Sequence, residues 1–333
     1  MTSEVAVPAP HPRTRRTAAR SIALHSLAAA AMYFSPLQLF VPAAFIHSGL
    51  RNGRSGAWAA VGGATFILSM ATLAYGSVTP IALAVNVAAL LRFLLEVGLP
   101  AALAMVLIRR EASFGVVLTA SIAASVAGFG LTELAMREIF NYSPYQAIVG
   151  NFRSASGDAL AAYRQREFFP EDAVLFLSGF FERVAASFMP VLMVIVAGLM
   201  FTLSLVMIPR LPAGRATGST YLLRSLVLPE GLLFLFVASG LASLAPGTLR
   251  VIGLNVLGAV VFLYLLQGLA IFRSLLVRFG FGPLGVLTAY VTLAILTIYG
   301  VALFALFLAG LFDPFFDFRK LKRKEDSDES DTD

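Results

Sequence analysis

The sequence contains no cysteine, which excludes disulfide bonds, thiolate metal ligands and a cysteine nucleophile. Its three histidines, His11, His25 and His47, do not have metal-ligand spacing. The chain also lacks a Walker A loop, an HExxH helix and a serine elbow. We therefore expect neither an enzyme nor a resident cofactor or metal ion, and active transport would need a partner or an ion gradient.

Charged residues are scarce, since Asp, Glu, Lys and Arg make up 13% of the chain and hydrophobic residues 58%. Ordinary globular domains carry about 25% charged residues. The apolar residues form several continuous runs of spanning length, for which roughly twenty residues suffice. The sequence thus predicts an all-α, polytopic transmembrane helical bundle with about eight to ten membrane segments.

The net charge of +6 does not indicate nucleic-acid binding. The basic residues cluster at the ends of apolar runs, which is the pattern that membrane insertion produces. Lysine accounts for only three of the 25 basic residues, and together with the alanine richness this bias suggests a GC-rich bacterial genome. We expect a multi-pass protein of the bacterial inner membrane, in contact with the lipid bilayer.

Hydropathy and charge divide the chain into four regions. Residues 1–20 form a basic cytoplasmic arm, 21–208 a membrane core of six segments, 209–318 further membrane helices, and 319–333 a basic, then acidic tail. A polar connection near 136–172 separates the fifth and sixth segments. Connections of this length are often lids or binding loops, and we expect this one outside the membrane.

The distribution of arginine predicts that both termini are cytoplasmic, because basic residues favour that side. This orientation requires an even number of crossings. The last apolar run, residues 284–312, would then be two short bent passes or a re-entrant hairpin. If it is one long tilted helix, either the C-terminus lies outside or an earlier segment does not span.

The apolar run at residues 78–108 contains two opposite charges, Arg92 and Glu96. Residues four apart share one helix face and can pair. Because charges within a membrane are costly, they usually face protein or a water-filled cavity. The pair is either a structural ion pair or part of a site for a solute or partner. Alternatively, the run is two shorter helices broken near residues 98–100.

Three further charges are predicted to lie near that pair, in the outer half of the membrane. At a rise of about 1.5 Å per residue, Glu133 lies near the outer end of the fifth predicted segment, at about residues 112–135. Glu182 and Arg183 precede the sixth predicted segment, at about residues 185–208. With Arg92 and Glu96 they predict an outward-opening pocket beneath the 136–172 connection, unless all are separate interfacial charges.

The C-terminal third carries a family resemblance. Its residues are Pro229 in Leu228-Pro229-Glu230, Asn255, Gln267-Gly268, Gly310, Asp313 and Asp317-Phe318-Arg319-Lys320. In order and spacing these residues resemble the YybS-like family of bacterial membrane proteins. That family is distantly similar to the S components of energy-coupling factor transporters. The resemblance implies a core of about six helices, a vitamin or metal bound near the outer face, and a borrowed ATPase module.

Two functions follow as expectations. The first is small-solute binding or transport with an S-component-like core, with an energy-coupling ATPase module or another membrane protein as partner. The second is a non-transporting scaffold or regulator in envelope growth or division. It would recruit cytoplasmic partners through the segment at residues 317–320 and the acidic tail.

Overall fold

The structure is a computed structural model that describes residues 15–33, 35–75, 80–165, 170–211, 222–298, 300–316 and 318–319. Within these ranges the regular secondary structure is helical, without a β-strand, which confirms the predicted all-α class. Most of the N-terminal arm, Asp317, Lys320 and the acidic tail lie outside the described residues.

The α-helices of this part of the chain follow one another with short connections. They are α1 Arg15–Tyr33, α2 Val41–Asn52, α3 Arg54–Tyr75, α4 Pro80–Arg92, α5 Leu99–Arg109, α6 Phe114–Phe140, α7 Pro144–Gln165, α8 Glu171–Arg183, α9 Met189–Met207, α10 Gly231–Ser243, α11 Thr248–Arg278, α12 Pro283–Ile298 and α13 Val301–Phe316. Two π-helical turns, Phe93–Gly98 and Val184–Phe188, join α4 to α5 and α8 to α9.

Among the described residues, four helices are long and apolar enough to cross a membrane: Ala82–Arg109, Phe114–Phe140, Glu171–Arg210 and Thr248–Arg278. A fifth crossing is possible if the bent pair α12–α13 forms one span. The count is lower than the eight to ten segments predicted from hydropathy. One reason is that two of the predicted segments are short helices, α2 with twelve residues and α10 with thirteen.

Helix α2 is the clearest of these short helices. Its twelve residues reach about 18 Å, less than the roughly 30 Å of a bilayer core. Eight of its residues are buried, among them Phe45 and Ile46. It packs against α1, α3, α5 and α9 and therefore forms the centre of the N-terminal core.

The predicted connection at 136–172 is mostly helical. Helix α6 continues to Phe140 and ends where Asn141 adopts a left-handed conformation with φ of 47°. Helix α7 then begins at Pro144, a residue that suits a first helical turn because it has no N–H to leave unpaired. Helix α8 begins at Glu171, so Glu182 and Arg183 lie within a helix rather than before one.

The continuous helix Glu171–Arg210 has 40 residues and is therefore about 60 Å long. The hydrocarbon core of a bilayer is roughly 30 Å thick, so about half of the helix extends beyond it. Helix α8 packs along α7, and the two form an antiparallel hairpin. The extra length places at least part of this hairpin beyond the hydrocarbon.

The last apolar run is broken rather than straight. Helices α12 and α13 are bent by 108° at the break, where Gly300 has a φ of 74°. A positive φ is accessible to glycine at little cost. The structure thus shows the bent pair that the charge distribution favoured, and not one long tilted helix.

Helices α11 and α13 approach each other at two glycines. An added Cβ atom at Gly268 would lie 1.9 Å from the Leu306 carbonyl oxygen, and one at Gly310 would lie 2.0 Å from that of Tyr264. Small residues permit such close packing between membrane helices. Both glycines belong to the motif by which the sequence resembles the YybS-like family, and both are used for packing.

Candidate functional site

A cavity of about 540 Å³ lies between α4–α5, α6, the start of α7, α9 and the segment Pro36–Phe40. Such a volume falls within the range of small-molecule sites, about 300–1,000 Å³. The lining is mostly apolar and comprises Tyr33, Gln38, Leu39, Arg92, Glu96, Val97, Ser125, Val126, Phe129, Tyr145, Ile148, Met189, Pro190, Leu192, Met193, Val196, Ala197 and Met200.

Arg92 and Glu96 form the predicted ion pair and both line this cavity. Arg92 Nε donates to Glu96 Oε1 at 2.9 Å, and Arg92 Nη2 donates to Oε2 at 3.4 Å. The guanidinium carbon also lies 5.9 Å from the centre of the Phe129 ring, within cation–π range. These are the charged residues of the cavity lining.

The helix that carries the pair is widened at the cavity by the π-helical turn Phe93–Gly98. Proline has no N–H and cannot bond the carbonyl four residues before it, so Pro100 leaves the Glu96 carbonyl free. Ser125 of α6 supplies the missing donor, with its hydroxyl 2.7 Å from that carbonyl oxygen. The Glu96 carbonyl thus has a hydrogen-bond donor on a neighbouring helix, and the run remains one helix rather than two.

Close packing of α6 supports the same turn. An added Cβ atom at Gly128 would lie 2.2 Å from the Leu95 carbonyl oxygen. The glycine therefore lets the α6 backbone approach the widened turn, and it places Ser125, three residues earlier, beside the Glu96 carbonyl.

A second break lies across the cavity, between α8 and α9. Here Val191 N–H donates to Asn255 Oδ1 at 3.2 Å. Asn255 Nδ2 in turn donates to the Ser187 carbonyl at 2.7 Å. The side-chain amide of Asn255 on α11 thus bonds the backbone on both sides of Met189 and Pro190, two residues of the lining.

Glu133 does not line the cavity but holds the helix that closes it. It accepts hydrogen bonds from Ser143 Oγ at 2.5 Å and Tyr145 N–H at 2.8 Å, and it pairs with Arg137 at 2.6 Å. A carboxylate favours the N-terminus of a helix because unpaired N–H groups are exposed there. Glu133 therefore anchors the start of α7, from which Tyr145 reaches the cavity.

Glu182 and Arg183 lie away from the cavity. Glu182 pairs with Arg153 of α7 at 2.6 Å, with both side chains largely exposed. Arg183 donates to the Gly179 carbonyl of its own helix at 3.1 Å. Of the five charged residues predicted to share a pocket, the structure brings two to the cavity lining and assigns Glu133 and Glu182 to the positioning of α7.

Three motif residues of the C-terminal third meet in a second, buried cluster. This cluster, here called the C-terminal clasp, comprises Gln267, Asp313, Arg319 and the backbone of residues 224–228. Gln267 accepts from Leu228 N–H at 3.0 Å and donates to Asp313 at 3.1 Å. Arg319 pairs with Asp313. It also donates to the carbonyls of Arg224 and Leu226 at 3.0 and 2.8 Å.

The clasp is a structural network. Gln267 is fully buried and Arg319 is 9% exposed, so the network has no open face for a substrate. Its bonds attach the end of α13 and the chain before Pro229 to α11. The side-chain amides of Gln267 and Asn255 thus both tie neighbouring helices together, as polar side chains commonly do between membrane helices.

Sequence reasoning did not identify Ser125, Phe129 or the methionines as site residues. One signal was available for Ser125: Pro100 follows Glu96 by four residues, so the Glu96 carbonyl needs a donor from another helix. The methionines offered no such signal, because only the packing of α9 against α6 and α7 shows which of them face a cavity.

The chain belongs to the DUF2232 family of predicted membrane proteins, whose family model matches residues 22–314. No match was found among curated proteins or among solved structures. The family match and the apolar helices establish an integral membrane protein embedded in a lipid bilayer.

Proposed function

We propose that this protein binds a small solute in the cavity beside Arg92 and Glu96. The observation that carries the proposal is an ion pair on a spanning helix that faces an apolar cavity instead of a packed core. Ionisable residues at such depth are costly, and in membrane proteins they mark solute and ion pathways.

The architecture around the pair supports this reading. Both helices that flank the cavity contain a π-helical turn there, at Phe93–Gly98 and at Val184–Phe188. Such turns within α-helices occur frequently at functional sites. Glu96 is 13 residues before Arg109, the end of the span, and so lies about 20 Å along the helix.

Transport is the use that best fits such a site. The YybS-like motif and its similarity to S components favour the substrate-binding subunit of a transport system in a bacterial inner membrane, with an ATPase module as partner. This step rests on the sequence resemblance, whereas the binding site rests on the cavity.

One observation makes the scaffold function less well supported than solute binding. The scaffold function assigned Arg319 to the recruitment of cytoplasmic partners, but this side chain is buried and bound to Asp313 and to two backbone carbonyls. A partner could use Arg319 only by opening the C-terminal clasp. The acidic tail lies outside the described residues.

Occupying the cavity tests the proposal. Met193→Trp adds an indole to the lining, whereas Leu199→Trp places the same group on an exposed position of α9 outside the lining. Full-length proteins purified from bacterial membranes are compared by mass spectrometry of the small molecules that copurify.

We expect a species that copurifies with the wild type and Leu199→Trp but is lost from Met193→Trp. If the three preparations carry the same molecules in the same amounts, the cavity is not a binding site. Comparable yield and monodispersity of the two tryptophan variants would show that the loss is not due to misfolding.

A further inference from the structure

We infer that the solute is an amphipathic acid, which binds with its anionic group on the free edge of Arg92 and its apolar body along α9. The inference rests on the proposed function, since it gives the chemical class of the ligand for the same cavity. It follows from three properties of the lining: the unused donor of Arg92, the pairing of both Glu96 oxygens with Arg92, and the apolar character of the remaining residues.

Arg92 has N–H donors that its pairing with Glu96 does not use. Its Nε and Nη2 atoms bond the two carboxylate oxygens of Glu96, while Nη1 makes no hydrogen bond with the part of the chain that the structure describes. A guanidinium has five N–H donors and no acceptor. The pair therefore offers a donor to a ligand, and each Glu96 oxygen is already engaged.

Exposure of the two side chains points the same way. The Arg92 side chain is 35% exposed and that of Glu96 is 13% exposed. Phe129 lies beside the guanidinium, so new hydrogen bonds must form at its edge. An anion that approaches the cavity thus meets an accessible cation, whereas an incoming ammonium would meet a carboxylate that is less exposed and already paired with Arg92.

The rest of the lining suits an apolar body. Helix α9 supplies seven of the lining residues, among them Met189, Met193 and Met200, and Ile148 from α7 adds to the same apolar wall. Methionine side chains are flexible and polarisable, and they adapt to apolar ligands of irregular shape. A ligand with a second charged group would find no further charged residue in the described lining.

Two sources supply molecules of this chemistry: water-soluble acids with an apolar body, and anionic lipids of the bilayer. Both place an anionic group at Arg92. The two sources are distinguished by competition, because an anionic lipid in the membrane would compete with a soluble acid for the same guanidinium.

The test uses three probes with one apolar body: 4-phenylbutyrate, 4-phenylbutanamide and 4-phenylbutylamine. Their affinities for the full-length protein in phosphatidylcholine nanodiscs are measured by titration calorimetry. Because hydrogen bonds to charged groups contribute about 1.5–3 kcal/mol, we expect the acid to bind at least about tenfold more tightly than the other two.

Variants identify the group responsible. Glu96→Gln removes the competing anion and should tighten binding of the acid by about tenfold, a gain that misfolding cannot produce. Arg92→Gln should abolish the preference for the acid. Arg110→Gln, on an exposed arginine just beyond the same span and outside the cavity, is the matched control and should change nothing.

A preference for the amine or the amide, equal affinities, or failure of the acid to bind would overturn the inference. If Met193→Trp still removes the copurifying species in that case, the cavity remains a binding site for another class of solute. Loss of acid binding when phosphatidylglycerol is added to the nanodiscs assigns the site to a lipid, and unchanged binding assigns it to a soluble acid.

Discussion

The contact between α11 and α13 makes Gly268→Ala a sharp test of the C-terminal packing. The added Cβ atom would lie 1.9 Å from the Leu306 carbonyl oxygen, where ordinary contact begins at 3.4 Å, so the helices would have to separate by about 1.5 Å. A backbone carbonyl cannot rotate away as a side chain can. The separation would also stretch the hydrogen bond that Gln267, the neighbour of Gly268 on α11, donates to Asp313 on α13.

The cost follows from these two effects. Overpacking costs about 1–3 kcal/mol, and a lost buried hydrogen bond about 1 kcal/mol more. We therefore expect Gly268→Ala to destabilise the α11–α13 contact by about 3 kcal/mol. Gly240→Ala on α10 is the matched control, because its Cβ atom would meet nothing within 4 Å.

The absence of native cysteine provides the assay. A single Cys introduced by Ala302→Cys, at a buried position of α13 one turn before Leu306 and on the same face of that helix, reacts with a thiol reagent only when the contact opens. In that background, Gly268→Ala should raise the labelling rate about 100-fold, the equivalent of about 3 kcal/mol. Equal labelling rates for Gly268→Ala and Gly240→Ala would refute the packing argument.

Two further predictions concern the ion pair and the topology. Arg92→Ala and Glu96→Ala should each lower the stability of the protein in detergent, since each single change leaves a charge uncompensated. The double mutant should be destabilised by about 1–3 kcal/mol less than the sum of the two single effects. Strictly additive effects in thermal unfolding would show that the two side chains do not interact. A reporter that functions only in the cytoplasm should be active when it is fused after Asp333. Activity of a reporter that functions only in the periplasm, fused at the same position, would contradict the predicted orientation.

Local features of the sequence predicted the local structure well. The spacing of Arg92 and Glu96 is sufficient to place both on one helix face, and the pair forms as expected. The positions of α1, α3, α6 and α11 also follow from apolar runs and their flanking residues. Such features depend on neighbours within a few turns, so they are visible without the fold.

Features that depend on distant contacts were not visible in this way. Helix α7 has no long apolar run, and its start is held by Glu133 from another helix. The sequence of this region therefore predicted a polar connection instead of a helix. The sixth segment begins earlier than predicted because α8 is stabilised along α7 and not only by lipid. The cavity itself arises where α6, α7 and α9 fail to fill the space beside α4–α5.

Helix α11 connects the two parts of the molecule that carry its polar contacts. Asn255 forms hydrogen bonds with the backbone at the start of α9, beside the cavity. Gln267 lies twelve residues and roughly 18 Å further along α11 and forms part of the C-terminal clasp. The motif residues whose polar contacts the structure describes therefore hold helices together, whereas the charges of the cavity lie outside that motif. The resemblance thus bears on the fold, and the identity of the solute has to be determined from Arg92, Glu96 and the apolar wall around them.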